Sequence, residues 1–223
     1  MRPEDDTCWT MVRDAVGGDE AARGSFASAY FGVVRAYLAA RWRGGRLVDR
    51  LDDAVQDVFL ECFRDSGALE RLDESRNASF RTFLYGVVRN VARRHEERLG
   101  GREINPPSGF DTDAPEESLS RVFDRAWAQS ILDRAGERQR AWALKDGDTG
   151  QRRIDLLHLR FAEGLPVREI ARRWDDDATR LHEELRKARK EFKQALREEV
   201  RFHLPGPGDA VDRECLRLLE LLE

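Results

Sequence analysis

The sequence predicts an all-α protein made of two small helical domains joined by a flexible linker. Three observations predict it. Apolar residues recur at spacings of three and four through most of the 223 residues, which is the period of an amphipathic helix. No stretch alternates apolar and polar long enough to make a significant strand. Between two helical runs lies Asn105-Pro-Pro-Ser-Gly-Phe-Asp-Thr-Asp-Ala-Pro115, which has three prolines and no helical period, the composition of an extended tether. The length admits one large domain or two small ones, and the tether favours two.

Each element follows in order. Residues 1–19 are polar and read as a flexible N-terminus. A first domain spans 20–102. Its first helix starts near Ser25, with Phe26, Ala29, Tyr30, Val33, Val34, Tyr37 and Leu38 on one side, and stops near Gly44-Gly45. A second starts at Leu51, with Leu51, Val55, Val58, Phe59, Cys62 and Phe63 on the apolar stripe. A loop from Arg64 to Asn77 leads to a third, for which Asn77 or Ser79 is a suitable N-cap. Its buried stripe is Phe80, Phe83, Leu84, Val87, Val88 and Val91, and it ends at Gly100-Gly101. The tether occupies 103–118. A second domain, 119–203, opens with a helix carrying Leu119, Val122, Phe123, Ala126, Trp127, Ser130 and Ile131. After a polar interruption at Lys145–Gly150 come three helices: 152–162, 166–174 and 178 to about 202. The stripe Leu156, Leu159, Leu165, Ile170, Ala171 and Trp174, with Gly164 to turn the chain and Pro166 at the next helix start, predicts a helix-turn-helix. Asp177 suits the cap of its last helix. A tail helix in 204–223 carries Val211, Cys215, Leu218, Leu219 and Leu222.

Charge is unevenly distributed. The chain carries a formal charge of −4, with 37% charged residues. Residues 104–118 contain four acids and no base, whereas residues 81–102 contain six arginines against two glutamates. The cationic patches are therefore local, and an acidic whole weakens nonspecific attraction to phosphate. No apolar run approaches a membrane span, and the acidic Met1–Asp6 lacks the apolar core of a secretory signal; the expected location is the cytoplasm. Cys8, Cys62 and Cys215 are scattered, with no histidine at ligand spacing, so neither metal site nor disulfide is expected, and no cofactor. The four histidines (His95, His158, His182 and His203) are dispersed, and no nucleophile–base pattern or phosphate loop appears. An enzyme is not expected.

Two faces in the first domain carry the functional signal. The outer side of the second helix is acidic, with Asp52, Asp53, Gln56, Asp57 and Glu61. On the third, Arg81, Tyr85, Arg89 and Arg93 recur every fourth residue, with Asn90 and Arg94 beside them. Adjoining acidic and cationic helices suit a protein that grips a partner with one face and nucleic acid with the other.

Leu51-Asp-Asp-Ala-Val-Gln-Asp-Val-Phe59 and Ser79-Phe-Arg-Thr-Phe-Leu-Tyr-Gly-Val-Val-Arg-Asn-Val-Ala-Arg-Arg94 resemble the second conserved region of bacterial sigma factors, most closely the extracytoplasmic-function group of the sigma-70 family. Leu156-Leu-His-Leu-Arg-Phe-Ala-Glu-Gly-Leu-Pro-Val-Arg-Glu-Ile-Ala171 and Leu185-Arg-Lys-Ala-Arg-Lys190 resemble that group's fourth region. The resemblance implies a subunit that binds RNA polymerase core and directs promoter recognition and transcription initiation, with an anti-sigma factor as a candidate regulator. It implies that Asp52, Asp53, Gln56 and Asp57 bind polymerase. It implies that Arg81, Arg89, Asn90, Arg93 and Arg94 bind the melted minus-10 element, with residues 69–77 forming a pocket for a flipped base. It also implies that the tether threads a basic channel of the polymerase. For the helix-turn-helix it implies DNA contacts at Thr179, Arg180, His182, Arg186, Lys187, Arg189 and Lys190. Here the chain departs from the family: Asp175 and Asp176 stand where the usual turn has a glycine and a buried aliphatic residue, and Glu183 and Glu184 make the base-reading end acidic. The alternative is a degenerate sigma-like regulator that binds polymerase or an anti-sigma factor with little sequence-specific DNA binding.

Overall fold

The computed structural model describes residues 8–63, 80–100, 116–204 and 207–222. Every regular element among them is helical. The helices are α1 (Cys8–Val16), α2 (Glu20–Arg41), α3 (Leu51–Phe63), α4 (Phe80–Gly100), α5 (Glu116–Ala143), α6 (Gly147–Leu157), α7 (Val167–Trp174), α8 (Ala178–His203) and α9 (Gly208–Glu220). They divide into two compact units: residues 1–130 with 202–207 and 216–223, and residues 131–201 with 208–215. Residues 103–115 of the predicted tether and the predicted base pocket lie outside the described residues, as do the candidate caps Asn77 and Ser79, while 116–118, predicted as tether, are the first residues of α5.

The first unit is built on α2. Its Phe26, Tyr30, Val33, Val34, Tyr37 and Leu38 are all buried, as the helical spacing predicts. Asp19 caps it by accepting from the Ala22 amide at 3.0 Å. Against this stripe lie Ala54, Val55, Val58 and Cys62 of α3, and Phe80, Leu84, Val88 and Val91 of α4. The rings meet edge to face around Phe26, which contacts Tyr30 (4.9 Å), Phe63 (5.1 Å) and Phe80 (5.8 Å). Edge-to-face contact sets the negative face of one ring against the positive edge of the next.

Three features of this unit differ from what the sequence predicts. First, residues 8–16 are helical. Cys8, Val12 and Ala15, spaced at four and three, are buried and α1 packs on α2, while the Arg23 side chain donates to the Ala15 carbonyl at 2.8 Å. That bond answers one of the carbonyls a helix end leaves open. Second, α2 begins at Glu20 rather than Ser25, because Asp19 supplies the cap. Third, the part of α5 up to Ser130 belongs here instead of opening the second domain. Trp127 stacks on Tyr30 at 5.6 Å and Phe123 meets Tyr85 at 5.2 Å, and these contacts draw that half of the helix into the first core.

The second unit holds a core of Leu156, Val167, Ile170, Ala171, Leu181 and Leu185, with Leu159, Leu165 and Trp174 packed against it. The segment predicted as a polar interruption is instead a 3₁₀ turn, Leu144–Asp146, followed by α6 from Gly147. Gly150 explains why the chain tolerates glycine there: a Cβ at that position would lie 2.1 Å from the Ala143 carbonyl oxygen. A π-turn, His158–Ala162, ends this run, and Gly164 reverses the chain at φ 73°. Pro166 sits in extended conformation immediately before α7, one position earlier than predicted. Arg153 and Glu199 are buried charges of this unit, and Glu199 pairs with Arg134 at 2.8 Å and Arg138 at 3.1 Å. Arg153 is held by acids from three places. It pairs with Asp146 and with Glu191 at 3.0 Å, and Glu184 stands 3.9 Å away. Burial alone would lower its pKa, but the hydrogen bonds it donates to Glu191 and Asp146 prevail and raise it.

Candidate functional site

The acidic face of α3 is set by its burial pattern. Ala54, Val55, Val58 and Cys62 point into the core, which turns Asp52, Asp53 and Gln56 outward, all exposed. Asp52 lies 3.5 Å from Arg35, with both side chains well solvated, so the pair contributes about 1 kcal/mol or less. Asp57 is half-exposed and held: His95 Nε2 of α4 donates to its Oδ2 at 2.9 Å. One turn further, Leu60 is 57% exposed, in helical register with Asp53, Gln56 and Asp57. Leu60 escapes a search of the sequence for charge, because it is an apolar residue on a polar face.

The cationic stripe of α4 divides along its length. Arg81 is half-buried and paired with Asp124 of α5, and Tyr85 lies edge to face with Tyr37 at 5.5 Å and with Phe123. The first half of the stripe is therefore covered by α5, and Arg81 is removed from the open surface that the period alone implied. Beyond it Arg89, Asn90 and Arg93 are exposed. Arg93 stands 3.5 Å from Glu97, both solvated. Arg94 bonds Glu61 of α3 at 2.9 Å and keeps 41% of its side chain in solvent. Thr82, Phe83, Gly86, Val87, Asn90, Arg93, Arg94 and Glu97, with Glu61 of α3, line one groove along this helix, which combines an aromatic ring, an amide, two guanidinium groups and two carboxylates.

In the second unit the turn between α7 and α8 accommodates its unusual residues. Asp175 itself takes the left-handed conformation at φ 49°, ψ 50°, which aspartate visits more readily than most residues. Asp176 accepts from the Asp177 amide at 2.7 Å and from Arg152, and Arg152 lies over the Trp174 ring at 4.7 Å. A polar cluster thus holds the turn together. Asp177 caps α8, accepting from the Arg180 amide at 2.9 Å, as predicted.

Thr179, Arg180, His182, Arg186, Lys187, Arg189 and Lys190 are all exposed. Their charge is partly answered from within. Arg180 lies 3.7 Å from Asp176 and Lys187 bonds Glu184 at 3.1 Å. Arg189 lies over Phe161, itself 59% exposed, at 5.9 Å. Glu184 turns toward Arg153 and Lys187 and is half-buried, whereas Glu183 is exposed.

Charged faces on open helix surfaces are the chemistry of a binding module, one face suited to a cationic partner and the other to an anionic one. Residues 27–100, which span most of α2 and all of α3 and α4, match the family model for sigma-70 region 2. The matched segment is therefore similar to one region of the sigma-70 family of transcription initiation factors. No curated protein matches the chain. Among the described residues no helix is long and apolar enough to cross a membrane.

Proposed function

We propose that this chain is a promoter-specificity subunit of bacterial RNA polymerase, of the extracytoplasmic-function type. The observation that carries the reading is the pairing of an acidic α3 face with a cationic α4 face inside the segment that matches sigma-70 region 2. Asp52, Asp53, Gln56 and Asp57 dock on core polymerase, where a polar contact sets register and partner choice more than raw affinity. Arg89, Asn90 and Arg93 meet the minus-10 element as one strand is melted out, the arginines on phosphate and Asn90 on a base edge. Arg94 joins them by exchanging Glu61 for phosphate. The α7–turn–α8 segment lies on upstream promoter DNA, with Arg186, Arg189 and Lys190 on the backbone. Residues 103–118, which lead from α4 into α5, occupy a basic channel of the polymerase.

The test is run-off transcription with purified core polymerase on genomic fragments. Discrete transcripts that require this chain support the reading. Core binding without any specific transcript favours a sigma-like regulator that reads DNA poorly. Exposed Glu183 at the start of α8 gives that second reading its support, since a carboxylate there repels phosphate. It predicts that Glu183→Lys creates duplex binding where there was none.

A further inference from the structure

His95 is buried, 8% exposed, on the α4 side that faces α3. The cationic role proposed for α4 makes no use of it, and neither does the acidic role proposed for α3. Its ring lies 5.8 Å from that of Trp42. Trp42 is itself buried and donates through Nε1 to Glu96 at 2.9 Å. Glu96 also accepts two bonds from Arg41, at 2.7 and 3.0 Å. The imidazole is thus fixed from the side of the α2 C-terminus, and its Nε2 reaches Asp57 Oδ2 at 2.9 Å. Asp57 keeps 42% of its side chain in solvent, so the carboxylate that His95 holds still belongs to the open acidic face.

We infer that His95 is a positioning residue for partner binding: it holds Asp57 in one orientation on the acidic face of α3, so that a cationic partner meets a pre-set carboxylate. This rests on the reading of that face as the polymerase-binding surface. A free aspartate must lose rotamer freedom when it pairs across an interface, and one already bonded from below has lost it beforehand. The bond leaves Oδ1 for the partner. It also distinguishes Asp57 from its neighbours on the face: Asp53 and Gln56 are exposed, whereas Asp57 is tied to a buried group of a second helix.

The experiment measures affinity for purified core polymerase by titration, with thermal melts alongside. His95→Phe keeps a ring against Trp42 and removes the donor; His95→Gln restores an amide N–H near the place of Nε2. His95→Phe is expected to weaken core binding about ten-fold, the scale of one hydrogen bond to a charged group. His95→Gln is expected to recover most of that loss. In an Asp57→Asn background the His95→Phe change is expected to cost little more, since the pair acts as a unit. Asp53→Arg, on the same face but clear of His95, separates the two readings. If Asp53→Arg abolishes binding while His95→Phe binds like the unaltered chain, the inference is overturned and the face stands. It is overturned equally if His95→Phe costs its full ten-fold in the Asp57→Asn background, or if His95→Gln binds no better than His95→Phe. If Asp53→Arg binds normally, the assignment of the face fails, and the inference with it.

Discussion

At the scale of single residues, buried charge and buried sulfur make the sharpest demands. Arg153 serves Asp146, Glu191 and Glu184 from a site 7% exposed. Arg153→Met keeps the bulk of the stem and strands carboxylates that lose their cation. Those carboxylates keep 58%, 32% and 21% of their side chains in solvent, so the loss is that of hydrogen bonds to a charged group, about 2 kcal/mol, and a urea melt of the variant should show a loss of that order. Cys62 makes the opposite case. Burial pushes its thiol up to about 12, with Glu61 adding to the effect. The sign is that of a thiolate disfavoured by desolvation, so at pH 8 the reactive form is rare. Native protein should react with a thiol reagent at Cys62 only after unfolding; rapid labelling at pH 8 would contradict the burial. Both residues could be placed on a helix from the sequence, and Cys62 could be placed on a core stripe. That Arg153 is a hub could not be read, because its partners lie 7, 31 and 38 residues away and nothing local marks them.

At the scale of elements, periodicity located α2, α3 and α4 because their apolar stripes are long and their fillers large. It missed α1, whose stripe is only Cys8, Val12 and Ala15 set among acids and glycines. It also misplaced the start of α6, where glycine content argued for a loop. There the deciding term is tertiary: Gly150 lets α6 approach the end of α5 at Ala143 more closely than any side chain would allow. Gly150→Ala should therefore destabilise by about 3 kcal/mol, at the upper end for overpacking, because backbone rather than a side-chain tip must give way. Gly32 is the contrasting case. It sits inside α2, exposed, with no atom within 4 Å of a built Cβ. Gly32→Ala should stabilise by about 1 kcal/mol through helix propensity, visible as a higher midpoint in a thermal melt. The cationic stripe of α4 shows the same limit of local reading. Its period was legible, but α5 covers its first half, so that Arg81 meets Asp124 while the later arginines reach solvent.

For the whole molecule, the proposed function requires a chain of net charge −4 to bind nucleic acid through confined patches, and this sets how its affinity would respond to salt. Long-range attraction is weak when the summed field is negative, so binding depends on the few cations that touch phosphate. Each such contact releases counterions, with a slope of about −0.7 in log affinity against log salt for a single strand. Arg89 and Arg93 are exposed on α4, and Arg93 faces a solvated Glu97 at 3.5 Å. Arg94 must first give up Glu61 at 2.9 Å, which offsets part of its gain. Arg93→Ala should thus cut the salt slope of promoter-strand binding by the polymerase complex by about one contact. Arg94→Ala should cut it by less, and Glu61→Gln should strengthen binding at low salt by releasing Arg94. Fluorescence titrations of a labelled single strand across a salt series measure all three. Equal slopes for the two arginine variants would mean that the Arg94–Glu61 bond does not persist against phosphate. An unchanged slope for Arg93→Ala would remove α4 from the nucleic-acid surface, leaving the acidic face of α3 as the working part of this unit.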